Sequence, residues 1–75
     1  MMNLQTAKYQ FEISGNDAPP PIEKTGIYDA MKTCNELIEE FGEGNVIITK
    51  DGSKTNQQSL SGEYRFYMTR IVKLD

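Results

Sequence analysis

The sequence predicts an α+β fold of the order β-α-β-β, with one helix packed on one face of a three-stranded, mainly antiparallel sheet. Three observations predict it. Apolar and polar residues alternate over residues 7–13, apolar residues recur at three- and four-residue intervals over residues 27–41, and two segments rich in β-branched and aromatic residues follow, at 45–50 and 63–74. At 75 residues, the chain is expected to form one domain, residues 1–75.

The first strand is predicted over residues 4–14, where one face is apolar and the other is charged or polar. The apolar face is Ala7, Tyr9, Phe11 and Ile13, and the polar face is Lys8, Gln10 and Glu12. Gly15, Asn16 and Asp17 end the strand with turn-forming residues. Residues 19–21 are three prolines, which predict an extended spacer because each ring fixes φ and removes a backbone donor.

The helix is predicted to begin near Thr25 or Gly26 and to end at about Phe41. Its apolar stripe is Ile27, Ala30, Met31, Cys34, Leu37, Ile38 and Phe41. Thr25 is expected to cap the first turn, and Gly42 is expected to end the helix with a positive φ.

The remainder is predicted to form a β-hairpin with a long polar tip. Its strands are residues 45–50 and 63–74, and its tip is residues 51–60, although Asp51–Gly52 alone would suffice for a tight turn. The last strand is the longest and most aromatic, so we expect it in the centre of the sheet, giving the order 1-3-2, with Tyr64, Phe66 and Met68 in the core. Its alternation breaks at Thr69–Arg70, which predicts a β-bulge there.

The composition excludes several classes of function. There is one cysteine and no histidine, which argues against zinc clusters, His-dependent catalysis and disulfide-stapled secreted scaffolds. No apolar run approaches the roughly 20 residues of a membrane span, and the first ten residues lack the pattern of a signal peptide. We therefore expect a cytoplasmic protein that is not an enzyme and holds no metal or cofactor.

Charge is distributed unevenly along the chain. Residues 1–44 contain eight acidic and three basic residues, a net charge of −5, whereas residues 45–75 contain three acidic and five basic residues, a net charge of +2. Three surfaces are therefore candidates for partner binding: the acidic helix end, the hairpin tip and the open face of the sheet. Their residues are Glu36, Glu39, Glu40 and Glu43 on the helix end, Lys54, Asn56 and Gln57 on the tip, and Arg65 and Tyr67 on the open face.

These features favour a small acidic protein-binding module that covers a surface on another macromolecule. In size, charge and order of elements the chain resembles the small acidic inhibitors that bacteriophages and mobile elements encode against bacterial host machinery, the anti-CRISPR proteins among them. Two alternatives stay open. One is a nucleic-acid-binding domain that uses the open sheet face and the hairpin tip. The other is a self-associating structural subunit, such as a homodimer, because so small a core is only marginally stable.

Overall fold

A computed structural model describes residues 5–72, with side-chain environments through Arg70. The fold is α+β, as predicted, but it has four strands and two helices in the described part of the chain. The strands are β1 (Lys8–Ile13), β2 (Ile22–Thr25), β3 (Val46–Lys50) and β4 (Ser53–Thr55). The helices are α1 (Ile27–Phe41) and α2 (Gln57–Val72), and a 3-10 turn, Glu43–Asn45, precedes β3.

The sheet is antiparallel throughout and has the order β2-β1-β3-β4. The predicted order 1-3-2 is therefore wrong: β1 and β3 are neighbours in the centre, where Phe11 lies opposite Ile48. β2 was missed because it is short and follows three prolines, yet it pairs with β1, with Lys8 opposite Thr25. The period-two pattern of β1 is confirmed, since its apolar face is buried and its polar face is exposed.

The helix α1 confirms the predicted stripe. Ile27, Ala30, Met31, Cys34 and Leu37 are buried in the core, with Ile38 and Phe41 partly buried beside them. Its N-cap is Gly26 rather than Thr25, and no side chain caps the turn. Gly26 has φ +92°, and a Cβ there would lie 3.2 Å from the carbonyl oxygen of Gln5. Glycine is therefore required both by the backbone conformation and by this close approach.

The predicted long hairpin tip and last strand are wrong. Asp51 (φ 50°) and Gly52 (φ 88°) form a two-residue turn, which closes a tight hairpin between β3 and β4. After three residues of β4 the chain enters α2, so residues 57–60 of the expected tip and the expected strand over 63–74 are helical as far as Val72. The predicted bulge at Thr69–Arg70 does not exist, and the predicted ends at Leu4 and at residues 73–74 lie outside the described residues.

Local chemistry explains why α2 begins where it does. The Asn56 side-chain oxygen accepts a hydrogen bond of 2.8 Å from the backbone N–H of Ser59, three residues on, which is the geometry of an N-cap. From Leu60 the buried or partly buried residues recur at Tyr64 and Tyr67, spacings of four and three. This helical period competes with the alternation that favoured a strand, and packing against α1 and the sheet decides the outcome.

Candidate protein-binding surface

The helix α2 runs antiparallel to α1 on the same face of the sheet, and three side-chain contacts fix its register. Gln57 donates to Asn35 at 3.3 Å, the Ser61 hydroxyl lies 3.8 Å from the sulfur of Met31, and the rings of Tyr64 and Tyr28 are 6.1 Å apart. From the first pair to the third, the residue number on α2 rises while the residue number on α1 falls, so the two helices are antiparallel. Because α1 begins at Ile27, this register carries the last turns of α2 past the start of α1.

A part-buried polar network attaches α2 to the centre of the sheet. The Glu63 carboxylate accepts a hydrogen bond of 2.8 Å from the Tyr9 hydroxyl and forms an ion pair of 3.0 Å with Lys50. Burial, followed by the hydrogen bond to Glu63, raises the pKa of Tyr9 far above its usual range, so this phenol remains a proton donor. One turn earlier, Leu60 is fully buried in the core.

Beyond this attachment, α2 presents aromatic side chains to solvent. Phe66 is 56% exposed and Tyr28, at the adjoining start of α1, is 55% exposed. Tyr64 and Tyr67 are partly buried, and the Tyr67 hydroxyl accepts a hydrogen bond of 2.9 Å from Gln5. We call Tyr28, Tyr64, Phe66, Tyr67 and Arg70 the aromatic end.

The aromatic end has its own charge character. The Arg70 guanidinium lies 5.3 Å from the centre of the Phe66 ring, one helical turn away, in a cation–π contact. Residues 57–72 include two arginines and one acid, Glu63, which is engaged by Lys50 and Tyr9. The helix α2 is therefore locally basic on a chain whose net charge is −3. Aromatic residues and arginine are the types enriched at protein interfaces.

The four acidic residues that were predicted as a binding surface are all exposed. Glu36, Glu39 and Glu40 are exposed along α1, facing away from the sheet, while Glu43 lies in the 3-10 turn beyond the helix. No group of three His, Cys, Asp or Glu residues within 5–72 is arranged to hold a metal ion. A role for these acids in partner binding stays a prediction.

The residues predicted for the hairpin tip lie in different elements of the fold. Lys54 lies in β4 and is exposed, Asn56 caps α2, and Gln57 begins it. Asn56 and Gln57 nonetheless join Glu43 at an open groove of about 490 Å³ between the end of α1, the sheet and the start of α2. The remaining lining residues are Ile38, Gly44, Val46, Ile48 and Thr55.

The fully buried Cys34 belongs to the core of α1. Burial raises the pKa of its thiol from 9.0 to about 11, and the negative charge of Glu43 adds to the effect. The thiol is therefore protonated at neutral pH, and its burial confirms the predicted position of Cys34 on the apolar stripe of α1.

The predicted open-face site is not assembled. Arg65 and Tyr67 lie on α2, not in a strand, so they contribute nothing to the open face. Six residues of β1, β3 and β4 lie on that face, and none of them is aromatic: Lys8, Gln10, Glu12, Ile47, Thr49 and Lys54. The stacking platform expected for nucleic acid is therefore missing from these strands.

Sequence reasoning missed Tyr28 and Phe66 as candidate binding residues. Tyr28 falls off the apolar stripe of α1, so the helical period already indicated exposure. The sequence predicts Phe66 on the core-facing side of the last strand. On a helix it lies about 200° around the axis from Tyr64, at roughly 100° per residue, and so points away from α1.

These features define a small α+β domain with a four-stranded antiparallel sheet and two antiparallel helices on one face. Comparison with protein-family models, curated proteins and solved structures finds no match. No helix within the described residues is long and apolar enough to cross a membrane.

Proposed function

We propose that this protein is a non-enzymatic protein-binding module and that its aromatic end is the binding surface. The observation that supports this most directly is the exposure of Phe66 and Tyr28, each more than half accessible, on a domain whose other large aromatic residues are largely buried or packed against the core. Burying an exposed aromatic side chain in a partner removes a large apolar area from water, at roughly 25 cal/mol per Å².

The helix geometry favours a partner that covers the side of α2 turned away from α1. Tyr64 packs against Tyr28 of α1, whereas Phe66 projects from the opposite side of the helix. A helix that offers an exposed aromatic side chain in this way suits a hydrophobic groove, which is a recurring mode of recognition. Acidic residues around such a groove would complement Arg65 and Arg70. An inhibitor of the kind that phages encode, covering a surface on a host protein, is one form of this proposal.

The test is affinity capture from the cells that carry the gene, with three variants compared in parallel. Phe66→Ser combined with Tyr28→Ser should lose the captured protein, whereas Glu12→Gln on the open sheet face should retain it. The third variant replaces Glu36, Glu39, Glu40 and Glu43 by Gln, and its loss of capture would move the binding surface to the acidic face of α1. Capture that survives the aromatic double variant would refute the proposed surface.

The nucleic-acid alternative has a direct test of its own. Arg65 and Lys54 are the basic groups predicted for it, so binding to single-stranded oligonucleotides should be strongest at low salt. Absence of binding at low salt would eliminate this alternative.

A further inference from the structure

We propose that the open groove between the end of α1 and the start of α2 docks an extended segment of a partner protein, with an aliphatic side chain on its floor and a lysine or arginine beside Glu43. The groove lies at the opposite end of the helix pair from the aromatic end, because its walls are the last turn of α1 and the first turn of α2. It is therefore a second surface, and it does not rest on the proposed function.

The floor of the groove is aliphatic and only partly covered by the chain itself. Ile48 is 3% exposed, whereas Ile38 and Val46 beside it are partly buried. The volume of about 490 Å³ lies within the roughly 300–1,000 Å³ that is typical of ligand sites. An aliphatic side chain placed on this floor would remove the remaining apolar surface of Ile38 and Val46 from water, which favours binding.

The groove is open because β4 is shorter than β3. β4 pairs with Ile48–Lys50 of β3, and the chain then turns into α2. Val46 has Ile13 opposite it on one side, but none of the described strands lies opposite it on the other. Side chains alternate along a strand, so Val46 and Ile48 share the face that lines the groove. An extended segment that continues the line of β4 would run beside Val46 and place alternate side chains on the floor.

The charge at the rim of the groove favours a cation. Glu43 lines the groove, and none of the described lining residues is basic. Glu39 and Glu40 lie in the last turn of α1, which contains no basic residue, and the helix dipole adds negative charge at this end. Lys54 precedes the lining residue Thr55, but it lies on the opposite, open face of the sheet. A lysine or arginine of the partner would therefore meet complementary charge.

Two side-chain amides at the start of α2 provide hydrogen bonds for a peptide backbone. Asn56 caps α2 with its side-chain oxygen, so its side-chain N–H groups remain as donors. Gln57 donates to Asn35, so its side-chain oxygen remains as an acceptor. Both residues line the groove. A main chain laid across the groove would therefore find a donor and an acceptor beside the apolar floor, the usual composition of a binding site.

The experiment is a titration of the isotope-labelled full chain with short synthetic peptides, followed by NMR. The test peptide alternates leucine and lysine between flanking glycine and serine residues. One control peptide replaces the lysines by glutamate, and the other replaces the leucines by serine. The test peptide should shift the signals of Gly44, Val46 and Gln57, with a Kd of about 1 mM or below. Each control peptide should bind about fivefold more weakly or less, because it lacks the cation or the aliphatic group.

Gly44 allows the groove to be narrowed without strain. Its φ is not positive, and an added Cβ would meet no atom within 4 Å; an added Cβ at Gly62, on α2 outside the groove, would also meet none. Gly44→Phe should weaken binding of the test peptide about tenfold, whereas Gly62→Phe should leave it unchanged. Glu43→Gln should weaken binding about threefold, as expected for one exposed ion pair.

Far-UV circular dichroism of each variant separates loss of binding from loss of the fold; if Gly44→Phe does not fold, Glu43→Gln and the control peptides decide. The proposal would be overturned by a test peptide that causes no shifts, by a control peptide that binds as tightly, or by a folded Gly44→Phe chain that binds unchanged. Equal binding of hexylamine, an aliphatic cation without a peptide backbone, would overturn it in favour of a small ligand. Binding that persists in Phe66→Ser supports a surface separate from the aromatic end, and binding lost there would overturn it.

Discussion

The two helices lie side by side on one sheet, yet they are held there in different ways. α1 buries six side chains, Thr33 among them, and follows one apolar stripe for its whole length. α2 has one fully buried side chain, Leu60, among its described residues. Its other attachments are the Glu63 network and contacts of partly buried or exposed side chains with α1 and Gln5. The difference indicates that α1 forms much of the core, whereas α2 is attached to the core and leaves Phe66 more than half exposed.

Truncating one core residue in each helix is the strongest test of this comparison. Ile27→Ala and Leu60→Ala each remove a fully buried aliphatic side chain and should cost about 2–5 kcal/mol in the free energy of unfolding. We expect Ile27→Ala to reduce amide-exchange protection throughout the sheet and α1. Leu60→Ala should reduce it mainly in α2, because that residue is the principal apolar anchor of the helix.

Hydrogen exchange followed by NMR measures both effects, and Thr69→Ala on the exposed side of α2 is the control. Equal loss of protection in α1 and α2 for the Leu60 variant would show that the two helices unfold as one unit.

Alkaline pH provides a second, smaller test centred on α1. The folded state raises the pKa of Cys34 from 9.0 to about 11, so the unfolded chain releases this proton first. Stability from this thiol is therefore fully present below pH 9 and is lost as pH rises from 9 to 11. Urea unfolding of wild type and Cys34→Ala at several pH values measures this loss.

The Cys34→Ala chain should show a weaker decline of stability over the same pH range. Tyr9, whose pKa is also raised, contributes a decline of the same sign at higher pH in both proteins. Parallel pH profiles for the two chains would contradict the assignment to Cys34.

Removing the cap of α2 should have the smallest effect of the three. Asn56→Ala deletes the acceptor for the Ser59 N–H and should cost about 1 kcal/mol. Gln58→Ala, two residues on and exposed, is the matched control and should change stability little. Thermal unfolding followed by circular dichroism checks both; an Asn56 variant as stable as the control would mean that the cap does not hold the start of α2.

The first half of the fold could be predicted from the sequence more accurately than the second half. The buried face of β1 and the stripe of α1 were predictable because each has a single dominant period over many residues. Residues 57–72 carry two periods at once: alternation from Glu63 to Thr69 and a helical spacing from Leu60 to Tyr67. Aromatic enrichment favoured the strand, while the Asn56 cap was the available sign of a helix.

The wrong secondary structure for residues 57–72 also led to a wrong prediction of the candidate binding surface. Of the residues proposed from sequence, Tyr67 alone belongs to the aromatic end; Phe66 was assigned to the core, while Arg65 and Tyr67 were assigned to a sheet face that they do not reach. The direction of a side chain depends on the period of its backbone, so a wrong period reverses which residues are exposed.

The sequence by itself determined the α+β class, the buried face of β1 and the extent of α1, because each depends on local periodicity. Only the tertiary structure decided that β1 pairs with β3 and that residues 57–72 form a helix. Both depend on contacts between residues far apart in the chain, such as Phe11 opposite Ile48 and Glu63 with Tyr9. The exposed aromatic end is a consequence of that second decision, since it exists only where α2 passes the start of α1.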